Sequence, residues 1–199
     1  MAPDPDAALL LAFRRGDAAA FRTLFERHAR AMVAFCFHYV RDPARAEELA
    51  QDVFVKLYRA ADRYQPSARF KTFLYRIAAN HCLNELRRGE YAARAAQGQD
   101  DPADPDALAA GTAGPDADLE GNKLEASVKA LLERLPEKQR TAFVLARFEG
   151  LSYEEIAEVL ETSVSAVKSL VHRATVAAAA ALAPFSQETH LPGTQEVPS

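Results

Sequence analysis

A chain of 199 residues with 28 Asp and Glu against 24 Lys and Arg has a formal net charge of −4 and room for one or two domains. Trp is absent, only eight Gly occur and β-branched runs are scarce, so a sheet-rich protein is disfavoured and the expected fold class is all-α. No run approaches the ~20 apolar residues of a membrane span, and Asp4 and Asp6 stand where a signal peptide needs basic residues, which argues against membrane insertion and for a cytoplasmic chain.

In chain order, Gly16 can end a short first helix and Asp17 can cap the next, where Phe21, Leu24, Phe25, His28, Met32 and Phe35 recur at three- and four-residue steps and predict an amphipathic core helix. Asp42-Pro43 then supplies a cap and a first-turn Pro, and Ala46, Leu49, Ala50, Val53, Phe54, Leu57 and Ala61 form the apolar row of a second long helix. A polar break at residues 65–68 precedes a third, expected from about Phe70 to Arg88, with Leu74, Ala78, Cys82 and Leu86 in one row. Cys36 and Cys82 lie in these apolar stretches without metal-ligand spacing, so buried free thiols are expected, with no disulfide framework and no metal.

Residues 91–122 hold Arg94 against seven acids, whereas residues 7–90 carry fifteen Lys and Arg against nine acids. The acidity is therefore concentrated in a connector too poor in large apolar side chains to offset its ordering entropy. The expected organisation is two small helical domains, 1–90 and 123–183, joined by a flexible acidic linker at 91–122 and followed by a disordered tail at 184–199. In the second domain Pro136 can open a helix ending near Gly150. Ser152 and Glu155 make a capping box, Glu161-Thr162 a turn, and Ser163 caps a final helix to about Leu182. These are the proportions of a helix-turn-helix.

A helix-turn-helix reads duplex DNA by laying its second helix in the major groove, with basic side chains holding phosphates. Val164, Val167, Val171 and Ala174 would face its partners, leaving Ser165, Ala166, Lys168, Ser169, His172 and Arg173 outside. A plain helical hairpin with a solvated face has the same pattern. On the third helix Thr72, Arg76, Asn80, Asn84 and Arg87 make a polar stripe, and Tyr64, Arg69, Phe70, Lys71, Phe73 and Tyr75 interleave aromatics with cations. That mixture suits unstacked single-stranded bases, although a polar stripe is also an ordinary solvated face and Phe73 reads better as core. Glu47, Glu48, Gln51, Asp52, Lys56 and Arg59 form a mixed-charge face that composition alone leaves silent. No nucleophile with a base, phosphate-binding Gly loop or metal cluster is present in the sequence, so neither enzymatic activity nor a cofactor is expected.

The ordered strings Gly16-Asp17-Ala18-Ala19-Ala20-Phe21, Asp42-Pro43 leading to Ala46-Glu47-Glu48-Leu49-Ala50-Gln51-Asp52-Val53-Phe54, Phe70-Lys71-Thr72-Phe73-Leu74-Tyr75-Arg76-Ile77-Ala78-Ala79-Asn80, Leu135-Pro136-Glu137-Lys138-Gln139-Arg140 and Glu149-Gly150-Leu151-Ser152-Tyr153-Glu154-Glu155-Ile156-Ala157 resemble the extracytoplasmic-function sigma factors of bacterial RNA polymerase. The resemblance implies a sigma-two domain whose Glu48, Gln51, Asp52 and Lys56 bind the clamp helices of the polymerase largest subunit. It implies that Arg69, Phe70, Lys71, Thr72, Tyr75, Arg76, Asn80, Asn84 and Arg87 open the minus-ten element and hold a flipped base. The second half resembles a sigma-four domain, in which Ser165, Ala166, Lys168, Ser169, His172 and Arg173 would read the minus-thirty-five element while the domain rests on the flap of the second-largest subunit. The acidic connector would thread the polymerase channels, unless it is a solubilising spacer. An anti-sigma partner follows from the resemblance alone.

The chain departs from the family pattern at Leu170, where Arg is frequent, at Thr72-Phe73, where Ala-Trp is often seen, and at Asn84, where Asp is common. A helix-turn-helix regulator acting without polymerase is the main alternative, and an RNA-modifying enzyme a weaker one.

Overall fold

In the computed structural model, described over residues 4–66, 68–96, 127–128, 130–132 and 134–186, every regular element is helical. The first body starts where the Asp4 carboxylate accepts the Asp6 and Ala7 N–H groups, launching α1 (Pro5–Arg14). Gly16, at φ +101, turns the chain in a conformation that L side chains resist, and Asp17 then caps α2 (Ala18–Val40). Asp42 caps α3 (Pro43–Ala60), whose Pro43 occupies the first turn where its missing N–H costs nothing. A short 3₁₀ turn, Ala61–Arg63, leads toward α4 (Phe70–Ala96). The expected rows are buried: Leu49, Val53 and Leu57 of α3 close against Leu24, Met32 and Phe35 of α2, and Leu74, Ala78 and Cys82 of α4 complete the core. Each Leu so buried contributes roughly 2 kcal/mol.

Two sequence expectations change here. Phe25, placed on the apolar row of α2, is 41% exposed. The helix predicted to close near Arg88 continues through Gly89 to Ala96, so the first residues assigned to the linker are helical. Ala92, Ala93, Ala95 and Ala96 are strong helix formers and outweigh one glycine. The connector from 97 to 126 and the tail beyond Ser186 lie outside the described residues.

The second body comprises α5 (Glu137–Arg147), α6 (Tyr153–Val159) and α7 (Val164–Ser186), preceded by helical residues around 127–134. The chain leaves α5 through Gly150 at φ +64, and the Leu151 N–H returns to the Leu145 carbonyl at 3.0 Å. Ser152 and Glu155 form the expected capping box on α6. The Ser163 hydroxyl accepts the Ala166 N–H at 3.2 Å and caps α7. Leu132, Leu145, Ile156, Val167, Val171 and Ala174 form the heart of this body.

The sequence predicts two bodies on a tether; the structure also packs them together. The buried residues of both halves join in one apolar cluster, and α6 lies against α4. Buried between them, the Tyr39 hydroxyl donates to the Thr141 hydroxyl at 2.9 Å, and the Thr141 hydroxyl in turn donates to the Glu137 carbonyl.

Candidate nucleic-acid interface

Helix α7 is the second element of the helix-turn-helix, entered through a tight turn in which Glu161 takes φ +50. Its apolar side is held by Val167, Val171 and Ala174, so the opposite side must face outward. Ser165, Lys168, Ser169, His172 and Arg173 are exposed there and Ala166 is half-buried, as the periodicity predicts. The Ser169 hydroxyl donates to the Ser165 carbonyl, so its lone pairs remain open to a ligand. Leu170 is half-buried against the core.

The residues gathered around the start of α4 divide into two groups. Asn80, Asn84 and Arg87 are exposed and Arg76 is half-buried, forming an open polar edge. Phe70, Thr72 and Tyr75 are buried. Thr72 thus does not share the exposure of the stripe to which its spacing assigned it, because helical spacing sets the side of a helix and not what packs over it. The Phe70 N–H donates to the Asp4 carboxylate at 2.8 Å, and its ring lies 5.2 Å from the His28 imidazole.

Four members of this set meet the second body. Lys71 donates to the Glu149 carbonyl and lies 5.6 Å from the centroid of the Tyr75 ring. The Tyr75 hydroxyl donates to the Glu149 carboxylate. Burial and this hydrogen bond hold the Tyr75 phenol well above its ordinary range, so it stays a donor. Burial also raises the Glu149 carboxyl, while Tyr75 and Lys71 pull it back down. Arg69 pairs with Glu155 at 3.2 Å and Arg87 with Glu137 at 2.9 Å.

The mixed-charge side of α3 is exposed along its length, with Glu48 bound to Arg45 at 2.7 Å and Asp52 leaning toward the buried His81 at 3.3 Å. Beside it lies a surface that sequence reasoning missed. Phe21, Phe25, Phe54, Val55 and Tyr58 line a groove of about 530 Å³ with Gln51 and Arg59 at its edge. The rings support one another: Phe13, Phe21 and Tyr58 form a cluster, and Phe25 meets Phe54 edge-on at 4.8 Å. Val55 and Tyr58, both off the apolar row of α3, carried the only signal, since bulky apolar residues outside a row have no core to enter.

His38 lies where α2 meets the second body, its ring 4.5 Å from that of Phe148. Burial and the neighbouring Arg41 lower its pKa from 6.5 to about 4. The folded state therefore binds fewer protons than the unfolded one between these values, and the contribution to stability is present above pH 6.5 and lost as pH falls toward 4. Glu149 has the opposite sign, its raised carboxyl favouring the folded state on the acid side. Ring-carbon NMR of His38 should therefore give a midpoint near 4, and Phe148→Ala should move it back toward 6.5. A midpoint near 6.5 in the unaltered chain would contradict the burial at this contact.

The class defined by these features is a two-bodied helical protein: a bundle presenting cations and amides on one helix, joined to a helix-turn-helix. Residues 24–90 match the family model of Sigma-70 region 2 and residues 125–176 that of Sigma-70, region 4. The chain is 34% identical over 188 residues to the RNA polymerase sigma-H factor of Pseudomonas aeruginosa, covering 93% of this chain and 97% of that one. It is 32% identical over 180 residues to the ECF RNA polymerase sigma-E factor of Escherichia coli, covering 85% and 90%. Among solved structures it is similar to CnrH in complex with the cytosolic domain of CnrY, with a TM-score of 0.62 and 27% identity over 94% of this chain and 99% of that one. It shares its fold with the sigma factor RpoE, in complex with the anti-sigma factor NepR, from Bartonella quintana: the TM-score is 0.63 and the identity 23%, over 82% and 96% of the two chains. The chain belongs to the extracytoplasmic-function RNA polymerase sigma factors, initiation factors that direct core polymerase to promoters.

Proposed function

We propose that this sigma factor divides promoter recognition between the outer face of α7, which reads duplex at the minus-thirty-five element, and the α4 edge, which captures unpaired minus-ten bases. The observation that carries this reading is the placement of Ser165, Lys168, Ser169, His172 and Arg173 together on the exposed side of the second helix of a helix-turn-helix. Lys168 and Arg173 supply the phosphate or guanine contacts, and the serines and His172 hydrogen-bond to bases or backbone. On α4, Asn80 and Asn84 offer amides to base edges, while Arg69, Lys71, Arg76 and Arg87 hold the strand; Phe70, Thr72 and Tyr75 set the shape of the site beneath them.

The α3 face of Glu48, Gln51, Asp52 and Lys56 binds the clamp helices of the polymerase largest subunit, and the aromatic groove beside it supplies the apolar part of that contact. The second body rests on the flap of the other large subunit. Strand opening is then driven by binding: unstacking costs a few kcal/mol per flipped base, which contacts to the freed base offset. The chain itself catalyses nothing and works in the cytoplasm, where an anti-sigma protein restrains it. Among the described residues no group of His, Cys, Asp and Glu is placed to hold a metal, and no helix is long and apolar enough to cross a membrane.

Run-off transcription with purified core polymerase on a genomic fragment library tests the reading. Promoter-specific transcripts are expected only when both the chain and core enzyme are present. On a promoter so identified, Asn80→Ala should reduce permanganate reactivity of the minus-ten thymines several-fold with core binding intact. Duplex binding with no dependence on core polymerase would favour a helix-turn-helix regulator instead.

A further inference from the structure

Helix α1 carries none of the groups assigned to strand, duplex or polymerase, yet it ties down both ends of the connection that delivers the chain into α4. At its start the Asp4 carboxylate is shared. Oδ1 accepts the Asp6 and Ala7 N–H groups of α1, and Oδ2 accepts the Phe70 N–H, 66 positions along the chain, at 2.8 Å. Arg69, the residue before α4, has no side-chain oxygen with which to cap that helix, so the acceptor comes from Asp4 instead. A carboxylate there is doubly favoured, because unpaired N–H groups and the positive ends of two helix dipoles converge on it. At the far end of α1 the Arg14 guanidinium donates to the Tyr64 carbonyl at 3.1 Å. Between these ties the connection closes on itself through the Tyr64 hydroxyl, which donates to the Ala68 carbonyl at 2.6 Å. Asp6 adds to the hold: it pairs with His28 at 2.8 Å, and the His28 ring packs on buried Phe70.

We propose that Asp4 is a positioning residue for minus-ten recognition: with Arg14, it makes α1 a brace that fixes the connection from Tyr64 to Arg69 and the first turn of α4 in the shape that reads the unpaired strand. This rests on the reading of α4 as the strand-capturing helix. Arg69 and Lys71 flank Phe70, so fixing the Phe70 backbone fixes where both cations begin. A connection free to sample many backbone conformations would have to be ordered as the strand arrives, at an entropic cost taken from binding. A braced one is ordered beforehand. The gain is largest for base discrimination, which needs groups held to within about 0.5 Å, whereas attraction between charges acts over longer distances. Asp4→Asn isolates the shared tie. It leaves one side-chain oxygen, enough to cap one helix as well as Asp does, and puts an amide nitrogen where the other helix needs an acceptor.

The test uses holoenzyme assembled from the full chain and purified core polymerase, presented with a randomised pool of single-stranded DNA 15-mers whose bound fraction is sequenced. The unaltered chain, Asp4→Asn, Arg14→Gln, Asn80→Ala and Asp17→Ala are compared. Asp17 caps α2 through the Ala19 and Ala20 N–H groups, so Asp17→Ala controls for the loss of a cap as such. Core association and the thermal midpoint of each chain are measured alongside. Asp4→Asn is expected to lower base selectivity by about tenfold, the order of one charge-assisted hydrogen bond, with core association unchanged. Arg14→Gln should act in the same direction by less, and Asp17→Ala should leave selectivity as it was. Asn80 is exposed and outside these ties, so it reports strand reading itself. If Asn80→Ala lowers selectivity and Asp4→Asn does not, the brace is overturned and the strand-reading assignment stands. If Asp17→Ala lowers it as much as Asp4→Asn, the effect is a general loosening of the fold and Asp4 is no positioning residue. If the unaltered holoenzyme selects no sequence, or Asn80→Ala changes nothing, the assignment of α4 fails and the brace fails with it.

Discussion

The double variant Val55→Asp/Tyr58→Asp is expected to weaken association with core polymerase by more than ~100-fold while the chain stays folded. Tyr58 is 57% exposed and Val55 46%, and both line the aromatic groove beside the mixed-charge face of α3. Exposed contiguous apolar surface is uncommon on a monomer and marks a surface awaiting a partner. In interfaces between proteins a few aromatic anchors near the centre carry most of the energy, each contributing roughly 2 kcal/mol or more, and surrounding charges tune encounter rate and salt dependence. By that logic Glu48→Ala and Lys56→Ala alone should change affinity only a few-fold, mostly through the on-rate. Titration of labelled chain with core enzyme separates the cases. Affinity retained within about threefold in the double variant would remove the groove from the docking surface.

The second large effect is expected in the rear body. Lys168→Ala/Arg173→Ala should lower affinity of the holoenzyme for minus-thirty-five duplex by about 10- to 100-fold at low salt, and should reduce the salt slope of log K by about two, one for each phosphate that is no longer neutralised. Both side chains are exposed on α7, and replacing exposed charges on a capped helix leaves its apolar side, Val167, Val171 and Ala174, untouched. An unchanged slope would return them to the ordinary solvated surface. A slope reduced by about one, with discrimination removed at a single base pair, would assign one of the two to guanine instead of phosphate.

The parts of this molecule that are legible in the sequence share a short range. Asp17, Asp42, Ser152 and Ser163 cap helices through atoms two or three residues away, so their role can be read from a window of four residues. The row Leu74, Ala78, Cys82 follows from helical geometry alone, and Cys36 and Cys82 are the buried free thiols their apolar setting implied, 3.7 Å apart. The end of α4 differs from expectation because acidic composition from Tyr91 onward points to a linker, whereas local alanine content extends the helix to Ala96.

Phe25 and Tyr75 show the opposite failure. Spacing puts Phe25 on a core row and Tyr75 among aromatics fit for bases. Packing leaves the first 41% exposed and covers the second under Glu149, a residue 74 positions away.

Helix boundaries, caps, the apolar rows and the family-bearing strings are determined by the amino-acid order itself, because each depends on neighbours within one or two turns. The aromatic groove, the burial of Thr72 and Tyr75, and the seating of Glu149 on Lys71 were decided only by tertiary structure. They arise where surfaces from separate helices meet, and no periodicity along the chain encodes which surfaces those will be.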